Sequence, residues 1–100
     1  MHFDIDARGT AFPIDARAYL EYRLFSRLSR FGADVFAVRV RLRDGASQGG
    51  QPVIDCRLHV LLRPAGEAIV EATADWLYGA IDRGADAAEA AVDQVVGRAV

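Results

Sequence analysis

The sequence predicts an α+β domain of two layers, in which a four-stranded mixed sheet carries two helices on one face. Two observations support this prediction. Four segments alternate apolar and polar residues with the period of a half-buried strand, and two longer segments repeat apolar residues about every 3.6 positions. The elements follow one another as β-α-β-β-β-α, with neither an internal repeat nor a linker between them. We therefore expect one domain over residues 1–100.

The first strand and the first helix each carry an apolar stripe. In "HFDIDAR" (2–8) apolar and polar residues alternate, which predicts a strand with one buried face. Pro13 or Asp15 opens a helix, because proline suits a first turn and aspartate caps free backbone N–H groups. We expect Gly32 to end that helix. The buried stripe of the helix is Leu20, Leu24, Leu28 and Phe31.

Three further strands are predicted after this helix. The second lies over 35–43, and a flexible glycine-rich loop, "DGASQGGQP" (44–52), follows it. "VIDCRLHVLLR" (53–63) and "EAIVEAT" (67–73) are the third and fourth strands, joined by a tight turn. By parity, the second strand is expected to bury Phe36, Val38, Val40 and Leu42.

A long last helix completes the chain after a cap at Thr73 or Asp75. Its buried positions are Leu77, Ile81, Ala85, Ala88, Val92 and Val95 or Val96. The first helix makes strands one and two parallel through a right-handed crossover, while strands two to four form an antiparallel meander. With one apolar stripe on each helix, both helices are expected to cover the same sheet face.

Composition and motifs exclude several classes of protein. No apolar run approaches the ~20 residues of a membrane span and no signal peptide opens the chain, so no membrane partner is expected. A single cysteine, Cys56, cannot form an internal disulfide, which favours the reducing cytoplasm and a buried, inert thiol. Because the sequence shows neither a phosphate loop nor a nucleophile paired with histidine, we expect no enzyme, small-molecule substrate or cofactor. The two isolated histidines also argue against a metal site.

The net charge of −2 hides a division along the chain. Residues 17–43 carry seven arginines against two acids, whereas residues 67–100 carry two arginines against seven acids. All twelve cations are arginine, which is well suited to forked contacts with phosphate or carboxylate. The middle of the chain is therefore the part best suited to bind an anion.

Arginines on the second strand allow two interpretations. Arg39, Arg41 and Arg43 share one sheet face and could contact a phosphate backbone, or they could pair with acids on neighbouring strands. We favour cross-strand pairing, which would neutralise their field. The pairing interpretation places Asp4 and Asp6 beside Arg39 and Arg41, and Glu67 and Glu71 beside Arg57. Arg43 and Arg63, near strand ends, are expected to be less committed.

The first helix carries the better candidates for nucleic-acid binding. Arg23, Arg27 and Arg30 lie on one flank of its apolar stripe, which Tyr19 continues. The alternative is that these side chains only extend over the sheet edge. The predicted nucleic-acid-binding residues are Arg23, Arg27, Arg30, Arg17 and Arg83.

The last helix has the opposite charge. Its acidic residues are spaced four, three and four apart, are expected to line its solvent side, and would repel phosphate. They suit a basic protein or a second copy of the chain, so a homodimer is possible. The candidate partner surface consists of Trp76, Tyr78, Asp82, Asp86, Glu89 and Asp93.

Three strings stand in a characteristic order: "DARAYLEYRL" to "LSRFG", then "VRVRLRD" before a glycine-rich loop, then "EATADWLYGAID". In these strings and in its order of elements, the chain resembles the ribosome hibernation-promoting factor family, also called ribosomal subunit interface or ribosome-associated inhibitor proteins. The resemblance covers essentially the whole chain, as a divergent short form. It implies a protein that sits in the mRNA and tRNA channel of the small ribosomal subunit, contacts 16S rRNA and ribosomal proteins, and inhibits translation during stress or stationary phase.

Members of that family contact rRNA with basic residues of both helices, and the last helix departs from this pattern. Ala87 and Ala90 stand where Lys and Arg are typical, beside Glu89 and Asp93. Because salt-dependent affinity scales with the number of neutralised phosphates, the departure predicts weaker ribosome binding, unless the acidic helix faces a basic ribosomal protein. The alternative function is a protein-interaction module or self-associating paralogue that uses this acidic helix.

Overall fold

The computed structural model describes residues 1–98 and has the predicted α+β architecture. Its elements are β1 (His2–Gly9), α1 (Ile14–Leu28), a 3₁₀ helix (Ser29–Asp34), β2 (Val35–Ala46), β3 (Pro52–Leu62), β4 (Glu67–Ala74) and α2 (Leu77–Arg98). The four strands form one sheet in the order β1-β2-β3-β4. Strand β1 is parallel to β2, and the other two pairs are antiparallel. Because α1 and α2 each follow a strand of the same direction, the two helices run in the same direction.

Both helices bury their predicted stripes against the same face of the sheet. Each fully buried leucine stabilises the fold by about 1.5–3 kcal/mol. The buried helical side chains that form the core with the inward face of the strands are Leu20, Leu24, Leu28, Ile81, Ala85, Ala88 and Val92. The predicted two-layer arrangement is therefore confirmed. Within residues 1–98, neither helix is long and apolar enough to cross a membrane.

Close approach of α2 to the sheet depends on small residues. Gly84 lies on the buried side of α2, and a Cβ atom at this position would lie 2.8 Å from Cys56 Sγ and 2.8 Å from Leu58 Cδ1. Real Cβ atoms do not approach other atoms so closely, so only glycine fits here without a shift of the core. Gly84 thereby sets the distance between α2 and β3.

The prediction that Phe36 is buried is wrong. The pairing of β2 with β3 shifts register between Val35 and Ala37, so Ala37 and Val38 both face the core. This bulge turns Phe36 to the open face, where its side chain is 49% exposed. From Val38 onward the predicted alternation is confirmed, with Val40 buried.

Two predicted boundaries also move. The glycine-rich loop is shorter than predicted, because β2 continues to Ala46 and β3 begins at Pro52. Gly45 allows this extension, since a Cβ atom there would lie 2.5 Å from Asp55 Oδ2. Thr73 lies within β4 and therefore does not cap α2, whose first helical residue is Leu77.

The thiol of Cys56 is buried as predicted, and this makes it unreactive. Cys56 is 1% exposed, and burial raises the pKa of its thiol from 9.0 to about 12. Since the thiolate is the nucleophile, we expect the folded protein at pH 8 to react with an aromatic disulfide reagent roughly 10³-fold more slowly than the urea-unfolded protein. The folded state holds this proton more tightly, so stability should fall as the pH rises above 9. Equal reaction rates would contradict the burial of Cys56.

Candidate nucleic-acid interface

The arginines of α1 predicted to bind nucleic acid form ion pairs with the acidic residues of α2. Both helices run in the same direction, and the arginines of α1 are spaced four and three residues apart, as are the acidic residues of α2 that face them. Nε of each arginine lies 2.9–3.0 Å from a carboxylate oxygen. The pairs of this interhelix ladder are Arg23–Asp82, Arg23–Asp86, Arg27–Asp86, Arg27–Glu89, Arg30–Glu89 and Arg30–Asp93.

The interhelix ladder is partly exposed, which limits its contribution to stability. Nε of Arg30 donates a hydrogen bond to Glu89 Oε2. The buried Nε atoms of Arg23 and Arg27 have no hydrogen-bond partner among residues 1–98, so their contacts are ion pairs without hydrogen-bond geometry. Exposed pairs of this kind contribute about 0.2–1 kcal/mol each. Their main effect is on charge, because they cancel the positive field along α1.

This ladder corrects the prediction that the acidic residues of α2 point only to solvent. Asp86 and Asp93 are exposed, yet both contact arginines of α1. The physical reason is that each apolar stripe has polar flanks, and two helices that cover the same sheet face bring their flanks together. Whether these acids also form a partner surface stays a prediction.

Aromatic side chains lie where the ladder begins. The hydroxyl group of Tyr19 donates a hydrogen bond of 2.5 Å to Asp82 Oδ1, and this bond, together with burial, raises the pKa of Tyr19. The ring of Tyr19 meets that of Tyr78 edge to face, with the centroids 5.0 Å apart. Trp76 lies beside Tyr78 and is 58% exposed. Of the predicted partner surface, Trp76 thus offers the exposed ring.

The other two predicted nucleic-acid-binding residues also have partners within the protein. Nε of Arg17 lies 3.3 Å from Glu21 Oε1, one turn further along α1. Arg83 donates a hydrogen bond of 2.8 Å to the carbonyl oxygen of Thr73. The structure therefore brings Arg23, Arg27 and Arg30 together and leaves Arg17 and Arg83 outside this group. Their role in nucleic-acid binding stays a prediction.

The open face of the sheet carries three arginines in a row on β2, which we term the arginine strip: Arg39, Arg41 and Arg43. Asp4 lies beside Arg39 and Asp6 beside Arg41 in the parallel pairing with β1, as the sequence predicts. Yet within the part of the chain that the structure describes, none of the three forms an ion pair or a side-chain hydrogen bond. The predicted neutralising lattice is therefore wrong for the arginine strip.

A local partner explains why Asp6 does not pair with the strip. Nε and one terminal nitrogen of Arg8 lie 3.0 and 2.9 Å from the two carboxylate oxygens of Asp6. These hydrogen bonds, with a smaller contribution from the charge of Arg41, lower the pKa of Asp6 to about 2. Asp6 therefore stays ionised at physiological pH, but its hydrogen bonds go to Arg8.

Across the sheet, Arg57 of β3 stands directly opposite Arg41. Like charges in this position destabilise a sheet. The predicted pairing of Arg57 with Glu71 is confirmed at 3.8 Å, whereas Glu67 contacts His59 instead. Two adjacent depressions on the open face share Arg41 and Arg57 in their lining. Carboxylates also line these depressions, from Asp4 and Asp6 on one side and from Asp55 and Glu71 on the other, so the positive charge is concentrated at Arg41 and Arg57.

An aromatic group extends the arginine strip at one end. Phe36 faces the same side as Arg39, and the guanidinium carbon of Arg63 lies 4.8 Å from the centroid of its ring. The alternation of the sequence does not predict the exposure of Phe36, because a bulge leaves no mark in the alternation itself. Neither Arg43 nor Arg63 has an ion pair within residues 1–98, but Arg39 and Arg41 have none either, so the expectation that Arg43 and Arg63 are less committed than those two is wrong.

Comparisons with known proteins find likeness among solved structures. No family model matches the sequence, and no curated protein matches it. The Protein Y N-terminal domain of Thermus thermophilus is 28% identical, with a TM-score of 0.74 over 95% of this chain and 99% of that chain. A ribosomal subunit interface protein from Coxiella burnetii has a TM-score of 0.72 over 97% of this chain and 99% of that chain; at 14% identity, it shows the fold alone.

Both structures have the β-α-β-β-β-α fold over nearly their full length, as the resemblance in the sequence implies. These findings confirm that resemblance: over almost its whole length the chain is similar to a Protein Y N-terminal domain and has the fold of a ribosomal subunit interface protein.

Proposed function

We propose that this protein binds the small ribosomal subunit and inhibits translation by occupying the channel used by mRNA and tRNA. The observation that carries this proposal is the likeness to the Protein Y N-terminal domain, which covers 95% of the chain at 28% identity. The likeness to a ribosomal subunit interface protein supports a ribosome-associated role. Its partners would be 16S rRNA and ribosomal proteins in the cytoplasm, and it would act during stress or stationary phase.

Inhibition by occlusion needs binding and no catalysis. A rigid domain that fills the channel excludes mRNA and tRNA sterically, so its effect depends on affinity and position alone. The interhelix ladder bears on that affinity, because Arg23, Arg27 and Arg30 must either leave their carboxylates or bind rRNA while still paired. We therefore expect strong salt dependence and a smaller contribution from α1 than three unpaired arginines would give.

Protein interaction through the acidic helix remains the second proposal, but the interhelix ladder argues against it. A basic partner would have to compete with three arginines that the chain itself supplies. The exposed ring of Trp76 is the observation that still favours it.

Co-sedimentation tests the proposed function. We expect the protein to pellet with 30S and 70S particles at about 50 mM salt, to pellet less at about 200 mM, and not to pellet with 50S particles. In a translation assay, the same protein should lower the yield, and excess mRNA and tRNA should displace it from 30S particles. Absence from 30S and 70S fractions at both salt concentrations would contradict ribosome binding. Binding that mRNA and tRNA leave unchanged would contradict occlusion.

A further inference from the structure

The arginine strip has the spacing of a ladder for successive anionic groups. Arg39, Arg41 and Arg43 occupy alternate positions of one strand, so their Cα atoms are about 6.6 Å apart along β2. Successive phosphates of an extended single strand are separated by a distance of the same order. All three side chains are exposed and lack an ion-pair partner among residues 1–98. Three phosphates in a row could thus each meet one guanidinium group.

Stability alone does not explain this arrangement. Arg41 stands directly opposite Arg57, although either a neutral or an acidic residue at one of these positions would remove the repulsion. Elsewhere the chain pairs its arginines closely, as in the interhelix ladder. The sheet therefore keeps Arg41 and Arg57 side by side at a cost in stability, which is expected of a surface that binds an anion.

The edges of the open face limit how many strands can bind. Asp4 and Asp6 border the arginine strip on β1. On the other side, Asp55 of β3 stands directly opposite Arg43, and Glu71 of β4 lies beyond Arg57. One backbone fits along the positive centre, whereas the second backbone of a duplex would lie over carboxylates. At the end of the strip, Phe36 is 49% exposed, and a base that stacks on its ring would share it with the guanidinium group of Arg63 or displace that group.

We propose that the open face of the sheet binds a single strand of RNA, with its phosphates on the arginine strip and a base against Phe36. This binding surface is separate from the helices. Only the identification of that strand as ribosomal or messenger RNA rests on the proposed function. A basic groove with an exposed aromatic ring is the common plan of sites for single-stranded nucleic acid.

Fluorescence anisotropy with a labelled oligouridine of about eight nucleotides tests the strip. The variant Arg39→Gln/Arg41→Gln removes two phosphate contacts, so the slope of log K against log salt should fall by about 1.4 and affinity by about 25-fold near 0.1 M salt. The control variant Arg98→Glu changes net charge by the same two units at one exposed position near the end of α2. It should leave the slope unchanged. Phe36→Ala should reduce affinity about tenfold at unchanged slope.

Several outcomes would overturn the proposal: no binding by the wild type at low salt, equal losses in the strip variant and its control, or equal competition by duplex RNA. Equal competition by polyglutamate would point to an acidic protein instead. An unchanged melting temperature would show that the strip variant is folded.

Sedimentation with 30S particles without oligouridine binding would overturn the strip and support the proposed function. Oligouridine binding as predicted without sedimentation would support the strip and contradict the proposed function.

Discussion

We expect roughly 100-fold tighter binding to 30S particles near 0.1 M salt from the variant Asp82→Asn/Asp86→Asn/Glu89→Gln. This variant converts three carboxylates of the interhelix ladder to amides. The substitutions keep the size of each side chain and remove the negative charge that now neutralises α1. Arg23 and Arg27 then lose every carboxylate partner, and Arg30 keeps only Asp93, 3.4 Å from one terminal nitrogen, so all three gain access to phosphate. This restores the basic first helix that the family resemblance implies. Three added phosphate contacts steepen the dependence of log K on log salt by about 2.1. The roughly 100-fold change in affinity near 0.1 M salt follows from this steeper slope.

Stability should change far less than affinity in this variant. The lost ion pairs are partly exposed and contribute about 0.2–1 kcal/mol each. Part of that loss is offset, because neighbouring carboxylates on α2 repel one another at a spacing of three and four residues. A melting temperature within several degrees of the wild type is therefore expected.

A matched control separates local release of the arginines from a change in net charge. Asp15→Asn/Asp34→Asn/Asp75→Asn also adds three units of charge, at exposed acids that form no ion pair within residues 1–98. Titration of labelled protein with 30S particles at several salt concentrations gives both slopes. If the two variants bind alike, α1 does not face rRNA, and the assignment of Arg23, Arg27 and Arg30 to nucleic-acid binding would be wrong.

Patterns within one element were predictable from the sequence, because they depend on the geometry of a single helix or strand. The buried stripe of α1, which Phe31 of the 3₁₀ helix continues, follows from the period of 3.6, and the inward position of Cys56 follows from the period of 2. The exposure of Phe36 was not predictable, since a bulge depends on how two strands register. The extension of β2 through Gly45 was also not predictable, because it depends on the space that the side chain of Asp55 occupies on the neighbouring strand.

Pairing of charges was the harder problem, and its two cases differ. The interhelix ladder was within reach of the sequence: the topology makes the helices run in the same direction, and the spacing from Arg23 to Arg30 matches that from Asp82 to Glu89. The lack of ion pairs in the arginine strip could not be predicted from the sequence, because Asp6 has two possible partners, Arg8 on its own strand and Arg41 on the next. The free energies of the two alternative ion pairs are too similar for the sequence to indicate which one forms.

A large effect on stability is expected at Gly84, which positions α2 and therefore the acidic side of the interhelix ladder. Gly84→Val adds a branched side chain where even a Cβ atom would lie 2.8 Å from Cys56 Sγ and Leu58 Cδ1. Overpacking of a core costs typically 1–3 kcal/mol, and we expect a loss of about 3 kcal/mol here. For a domain of this size, the melting temperature should fall by about 12–24 °C. Thermal and urea unfolding followed by circular dichroism measure both quantities.

The same substitution near the end of α2 provides the control, because a Cβ added at Gly97 would meet no atom within 4 Å among residues 1–98 apart from its chain neighbours and the nearby backbone of its own helix. Gly97→Val should change stability by only a few tenths of a kcal/mol, since valine is a somewhat better helix former than glycine. Adding Cys56→Ala to Gly84→Val should recover part of the loss, because the sulfur atom is one of the two that the new side chain meets. A coupling of about 0.5–3 kcal/mol between the two positions is expected for groups in contact. Strict additivity would show that helix propensity or a distant shift, rather than close approach of α2 to β3, makes glycine necessary at this position.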